Sequence, residues 1–155
     1  MENKTRHNDI NGYYISTDNA QIDIDIVHTF ISSSYWAKDI PMKTLQKAIK
    51  HSFCFSVFTD SNVQVGFARL ITDQATFAYL ADVFILDDHR GKGLSKWLID
   101  VIVNHDNVVG LRRMMLATRD AHGLYAQNGF LPIENPEILM QIWRPNIYLG
   151  AGIED

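Results

Sequence analysis

The 155-residue chain is long enough for one domain with a real hydrophobic core, and its 46% hydrophobic and 21% charged residues are ordinary for a folded protein. A net charge of −4 supplies no global basic field for nucleic acid, and no run nears the roughly 18 apolar residues of a membrane span. The start, Met1–Asn8, lacks the apolar stretch of a secretory signal, and the lone cysteine, Cys54, excludes an internal disulfide or a multi-cysteine zinc site. A cytoplasmic protein without nucleic-acid or membrane partners is therefore expected.

Residues 1–11 are polar and read as a flexible N-terminal segment ahead of a single domain over 12–155. Gly12–Thr17 predicts a first strand, closed by the Asp18-Asn19 turn signal. Ile24, Val27, His28 and Ile31 recur at helical spacing, which predicts a helix over about 22–33. Pro41, placed like a first-turn proline, opens a second helix through Leu45, Ala48 and Ile49. Two β-rich runs, 52–59 and 63–72, join at Asp60-Ser61-Asn62 as a hairpin. Cys54 lies within the apolar part of the first run, where a buried, inert thiol is expected.

Thr76–Leu86 is apolar at nearly every position, as a central strand would be. The helix after it carries Leu94, Trp97, Leu98, Val101 and Ile102 at the spacing of one buried face. Leu111–Thr118 predicts a further strand, Asp120–Gln127 a short helix, Gly129-Phe130-Leu131 a strand start and Glu137–Trp143 a last strand. The order βααβββαβαββ implies an α/β protein with a mixed sheet flanked by helices.

The chemistry concentrates at the turn between the central strand and its helix, Asp87-Asp88-His89-Arg90-Gly91-Lys92-Gly93-Leu94-Ser95-Lys96. Glycines there permit positive φ and a close backbone approach, and the helix start offers unpaired N–H groups and a partial positive charge. Arg90, Lys92 and Lys96 add full charges and Ser95 a hydroxyl, so the turn suits a phosphate or pyrophosphate. It lacks the Gly-Lys-Ser/Thr ending of a Walker A loop, and Lys96 replaces the third glycine of a dinucleotide fingerprint.

Arg90-Gly91-Lys92-Gly93-Leu94-Ser95 resembles the R-x-x-G-x-[GA] pyrophosphate loop of the GNAT superfamily of N-acetyltransferases. Thr118-x-x-Ala121-x-x-Leu124-Tyr125-x-x-x-Gly129-Phe130 resembles that superfamily's second signature, in the correct order and with a strand between. Ser95 and Thr118 depart from the usual Gly/Ala and Asn. The resemblance covers the chain from Tyr13 to Trp143. It implies a single-domain, mostly antiparallel sheet flanked by helices, acetyl-CoA as cosubstrate, and direct attack of a primary amine on the thioester in a ternary complex.

By the same resemblance, Arg90 to Lys96 would bind the pyrophosphate, and backbone groups of Val83, Phe84 and Ile85 the pantetheine arm, with Thr118 a further cofactor contact. Tyr125 matches the family's general acid, its alternative being a core tyrosine beside Phe130. Tyr79–Phe84 is similar to the Y-L-E-D run of polyamine acetyltransferases, but Ala81 stands at the glutamate.

Asp82 is the only charged residue between Ala75 and Leu86, and an unpaired buried carboxylate is costly, so a catalytic role and a structural pairing both stand. Tyr35, Trp36, Arg69 and Asp82 are the candidate acceptor contacts. Asp73, Arg119, Asp120 and His122 are softer candidates, and His28, His51 and His105 show no metal-ligand spacing, so no metal is expected. The acceptor is expected to be a small-molecule amine, the alternatives being a protein or peptide amine and a non-catalytic acyl-CoA sensor. The superfamily resemblance also implies a homodimer.

Overall fold

The computed structural model describes residues 4–150. Its sheet contains β1 (Lys4–Thr5), β2 (Tyr13–Ser16), β3 (Phe53–Thr59), β4 (Gln64–Thr72), β5 (Phe77–Ile85) and β6 (Arg113–Leu116). They lie side by side in chain order. Every neighbouring pair is antiparallel except β5 and β6, which run parallel. The helices are α1 (Ile24–Ser32), α2 (Met42–Lys50), α3 (Leu94–Val103) and α4 (His122–Ala126). This is the mixed, mostly antiparallel α/β architecture expected from the sequence.

Local chemistry sets the helix ends. The Asp23 side chain accepts a hydrogen bond from the Ile26 N–H and so starts α1, and Ser33 and Ser34 end it by donating to the carbonyls of Phe30 and Ile31. Pro41 sits one residue before α2, where its missing N–H costs nothing. Each sheet face has its own core. Leu94, Trp97, Leu98, Ile99 and Ile102 of α3 pack on Phe55, Val57, Leu70 and Leu80. Val27 and Ile31 of α1 join Leu45 and Ile49 of α2 over Cys54, Phe67 and Phe84 on the opposite face.

β5 changes parity partway. Ala78 and Leu80 face α3, but beyond Asp82 it is Ile85 that faces α3, while Phe84 stacks on Phe30 of α1 with ring centroids 4.1 Å apart. The cause is a bulge: Arg69 pairs with Ala81 and Phe67 with Phe84, so the register slips across Asp82, whose φ is 57°. An extra residue in one strand shifts the side-chain alternation and bends the strand.

The structure departs from the expected elements at both ends. The segment before Gly12 is tied down from Lys4 onward: β1 pairs with Ser16 and Ile15, Ile10 packs on the α3 core, and Arg6 forms a 2.7 Å ion pair with Asp60. Polarity misled there, because β pairing satisfies backbone groups whatever the side chains are. Residues 1–3 lie outside the described residues. Neither Gly129-Phe130-Leu131 nor Glu137–Trp143 forms a strand, and this region holds only a short 3-10 turn, Pro136–Ile138. A β-prone segment becomes a strand only when an edge accepts its backbone, and here none does.

Candidate active site

The parallel ladder between β5 and β6 runs from Phe77/Arg113 to Leu80/Leu116 and stops. β5 continues through Asp82, Val83, Phe84 and Ile85, so the two strands part and leave that stretch of β5 without a neighbour on the β6 side. Val83 is half-buried, whereas Phe84 and Ile85 turn their side chains into the two cores. What these two can offer a ligand in the gap is therefore backbone.

At the end of β5 the chain passes through a 3-10 turn, Asp87–His89, into the glycine turn. Gly91 and Gly93 adopt φ of 78° and 82°, in the left-handed region that other residues enter at a cost. The turn is braced from both sides. Tyr13 Oη lies 2.8 Å from His89 Nδ1, and Arg90 Nε donates to the Ile85 carbonyl at 3.0 Å while its Nη1 pairs with Asp87. Arg90 thus spends part of its donor fork on holding the strand end.

From Gly91 to Lys96 no backbone N–H finds an acceptor among the described residues. Leu94 is buried and offers only its backbone, Ser95 is half-buried, and Lys92 and Lys96 are exposed. A run of free N–H groups at a helix start with two exposed ammonium groups is an anion site in its chemistry.

On the side of the gap away from that turn lies a cavity of about 600 Å³, lined by Tyr35, Trp36, Arg69, Asp82, Val83, Thr118 and Tyr125 among others. The structure thus brings together candidates from five separate stretches of sequence. Asp82 is its hub: Oδ2 accepts from Arg69 Nε at 2.8 Å, and Oδ1 accepts from Trp36 Nε1 at 2.8 Å. Arg69 also donates to Ser52 Oγ at 3.1 Å. Tyr35 meets Trp36 edge-on and carries the Arg119 guanidinium 3.7 Å above its ring. Thr118 turns the chain into α4 by accepting the Ala121 N–H at 3.0 Å.

Tyr125 borders this cavity and also a second, more apolar one of about 720 Å³ between β6, α4 and Phe130–Pro136. Its ring packs edge-on to Phe130. Burial, then the neighbouring Tyr35 and Asp120, raise its pKa above the usual value, so the phenol keeps its proton at neutral pH. His122 lines the apolar cavity, not the acceptor-sized one. Asp73 is fully exposed and its carboxylate accepts the N–H groups of Ala75, Thr76 and Phe77 and the Thr76 hydroxyl, which lower its pKa; its work is to shape the β4–β5 turn. Burial pushes the Cys54 thiol up to about 12, which leaves it unreactive as expected.

Two residues of this region carried no sequence signal. Tyr148 reaches the acceptor-sized cavity from the C-terminal segment, and Tyr13 reaches His89 from β2. Only the fold reveals these contacts across so long a sequence distance.

Opposite a gap between parallel strands stand a glycine turn rich in free N–H groups and a half-buried tyrosine, the layout of an acyl-CoA-dependent transferase. The model of the Acetyltransferase (GNAT) family matches residues 24–130, and the chain belongs to that family. A protein of Gibberella zeae named as a candidate acetyltransferase is 35% identical, the match covering 75% of this chain and 77% of that one. The crystal structure of a candidate GNAT-family acetyltransferase from Xanthomonas campestris pv. campestris is 51% identical. It superposes with a TM-score of 0.85 over 88% of this chain and 96% of that one. N-acetylglutamate synthase from Neisseria gonorrhoeae, solved with coenzyme A and L-arginine, shares the fold at 17% identity and a TM-score of 0.65, over 83% of this chain and 30% of that one.

Proposed function

We propose that this chain transfers the acetyl group of acetyl-CoA to the primary amine of a small molecule, by direct attack in a ternary complex. The observation that carries the reading is the position of Tyr125, on the border of the cavity that contains the β5–β6 gap. The pyrophosphate lies on the free N–H groups of Gly91–Lys96, assisted by Lys92 and Lys96, and the pantetheine arm runs along the unpaired edge of Val83–Ile85. Family membership and the coenzyme A bound by the Neisseria enzyme support acetyl-CoA as the donor.

In the reaction the amine nitrogen forms a bond to the thioester carbon, the C–S bond breaks, and the departing thiolate takes the Tyr125 proton. A phenol held protonated by burial suits that role. Asp82 acts as a positioning residue: both of its oxygens already accept from Trp36 and Arg69, and they fix the wall against which the acceptor rests. The amine's proton leaves to solvent in the open cavity.

A volume of about 600 Å³ is that of a small-molecule site, with Tyr148 of the C-terminal segment part of its wall. The aromatic walls suit an acceptor with an apolar or cationic body. The deciding measurement is acceptor-dependent thiol release from acetyl-CoA against a library of amines, run with wild type and Tyr125→Phe. Release with one class of amine, lost in the variant, is the expected result. Tight acetyl-CoA binding with no release for any amine would instead establish an acyl-CoA sensor.

A further inference from the structure

The charged side chains that line the acceptor-sized cavity are Arg69, Asp82, Arg119 and Asp120. The first two are spent on each other. Arg69 Nε and Trp36 Nε1 donate to the two oxygens of Asp82, and Arg69 Nη1 donates to Ser52 Oγ. The other two are not spent. Among the described residues neither Arg119 nor Asp120 makes a side-chain hydrogen bond or an ion pair, with the other or with any third group.

Both are nonetheless held in place. They lie in the turn that Thr118 closes by accepting the Ala121 N–H, and the Arg119 guanidinium rests 3.7 Å from the centre of the Tyr35 ring. A guanidinium is weakly hydrated and can rest on an aromatic face while its N–H donors stay free. Arg119 therefore brings a positioned donor fork to the cavity with no protein acceptor to fill it. It also covers a face of Tyr35 that a cationic acceptor would otherwise use.

We propose that the acceptor is an amino acid, its carboxylate on Arg119 and its ammonium beside Asp120, an inference that rests on the acetyl-transfer reading and names the substrate class of that site. One guanidinium matches one carboxylate, both in charge and in the paired geometry of its donors. A phosphate monoester carries close to two negative charges, and no lysine or histidine lines the cavity to meet the second. A diamine would bring a second cation against Arg119. A plain amine would leave Arg119 unmatched. A zwitterion satisfies both charges and adds no net charge to a lining that already balances.

The polarity also suits the reaction. Burial, Tyr35 and then Asp120 act on the Tyr125 phenol, so Asp120 draws the ammonium toward the end of the cavity where that phenol stands. The ammonium sheds one proton to become the nucleophile and a second as the amide forms, while Tyr125 protonates the departing thiolate. Arg119 and Asp120 are exposed, so solvent screens part of each contact. The expected discrimination is about tenfold, the low end for a charge-assisted hydrogen bond.

The test sets the common α-amino acids against their carboxamides, with phosphoethanolamine and 1,4-diaminobutane as further probes. Thiol release from acetyl-CoA gives kcat/KM, and calorimetry on the CoA-saturated protein gives affinity without turnover. At least one acid should exceed its own amide about tenfold in both, although the amide has more free amine at neutral pH for the attack. Arg119→Gln should bring that ratio near one, acting through KM, and Arg119→Lys should restore part of it. Acids and amides accepted alike, equal losses for both in Arg119→Gln, or a preference for phosphoethanolamine or the diamine would overturn the proposal and leave acetyl transfer standing. No thiol release with any probe, but Arg119-dependent binding of acids, would instead remove the transfer reading and leave the amino-acid site standing. Neither release nor such binding overturns both.

Discussion

Asp82→Asn isolates the charge at the hub of the acceptor wall. Asparagine tolerates the left-handed backbone that Asp82 adopts at φ 57°, so the change adds little strain. A carboxylate accepts at both oxygens, whereas an amide accepts at one and presents N–H groups at the other. Either Trp36 Nε1 or Arg69 Nε then faces a donor. Arg69 is 14% exposed and Asp82 5% at their side chains, so solvent replaces little of what is lost.

Removing one member of a buried ion pair costs about 3–5 kcal/mol, and the acceptor that asparagine retains puts this case near 3 kcal/mol. For a chain of this size that is a fall in melting temperature of roughly 6–12 °C. Urea denaturation should show the same loss as a lower midpoint with an unchanged m-value. Arg69→Met combined with Asp82→Asn should recover roughly 1–3 kcal/mol relative to the sum of the two single losses, since each charge is then removed with its partner. A loss under about 1 kcal/mol in Asp82→Asn, or additive single losses, would refute the hub.

Three further outcomes follow from the site. Tyr125→Phe should lower kcat by about 10²-fold, with acetyl-CoA affinity by calorimetry within a factor of three of wild type; full activity would remove the phenol from the reaction. Arg90→Glu should weaken acetyl-CoA binding more than tenfold, because it frees the Ile85 carbonyl, sets a second carboxylate beside Asp87 and repels the pyrophosphate; unchanged affinity would move the phosphate elsewhere. Above pH 9 the unfolded chain ionises Cys54 and the folded chain does not, so between pH 9 and about 12 this group should lower stability by about 1.4 kcal/mol per pH unit, with Tyr125 adding the same sign above pH 10. Titrating Cys54 with a thiol reagent at pH 8 should give no reaction until denaturant is added.

Much of this was legible because it rests on local patterns. The apolar spacing from Leu94 to Ile102 is a helix face in any context, and the glycines at 91 and 93 mark left-handed positions by residue type alone. Asp82 announced itself as one charge in an apolar run, although neither its bulge nor its partners could be read, since both depend on what β4 and Trp36 place opposite. The expected strand over Glu137–Trp143 has the right composition and finds no edge within the described chain. Strand formation is a property of two segments, and a sequence displays only one of them. Tyr148 and Tyr13 lay hidden for the same reason.

One backbone irregularity ties these observations together. The bulge at Asp82 shifts the side-chain alternation of β5 by one residue. It sends Phe84 to the α1 face and Ile85 to α3, and it places the carboxylate between Arg69 and Trp36. The pairing with β6 ends two residues before it, at Leu80. Beyond that point a strand bent away from its neighbour keeps a free edge, while a straight one would invite β6 to extend the ladder and fill the gap. The Arg69–Asp82–Trp36 contacts hold a left-handed aspartate that costs about 1 kcal/mol or more on its own. On this logic the ion pair keeps the cleft open as well as lining it. Arg69→Met should therefore extend hydrogen-exchange protection on β6 past Leu116 toward Thr118, and unchanged protection there would separate the bulge from the opening.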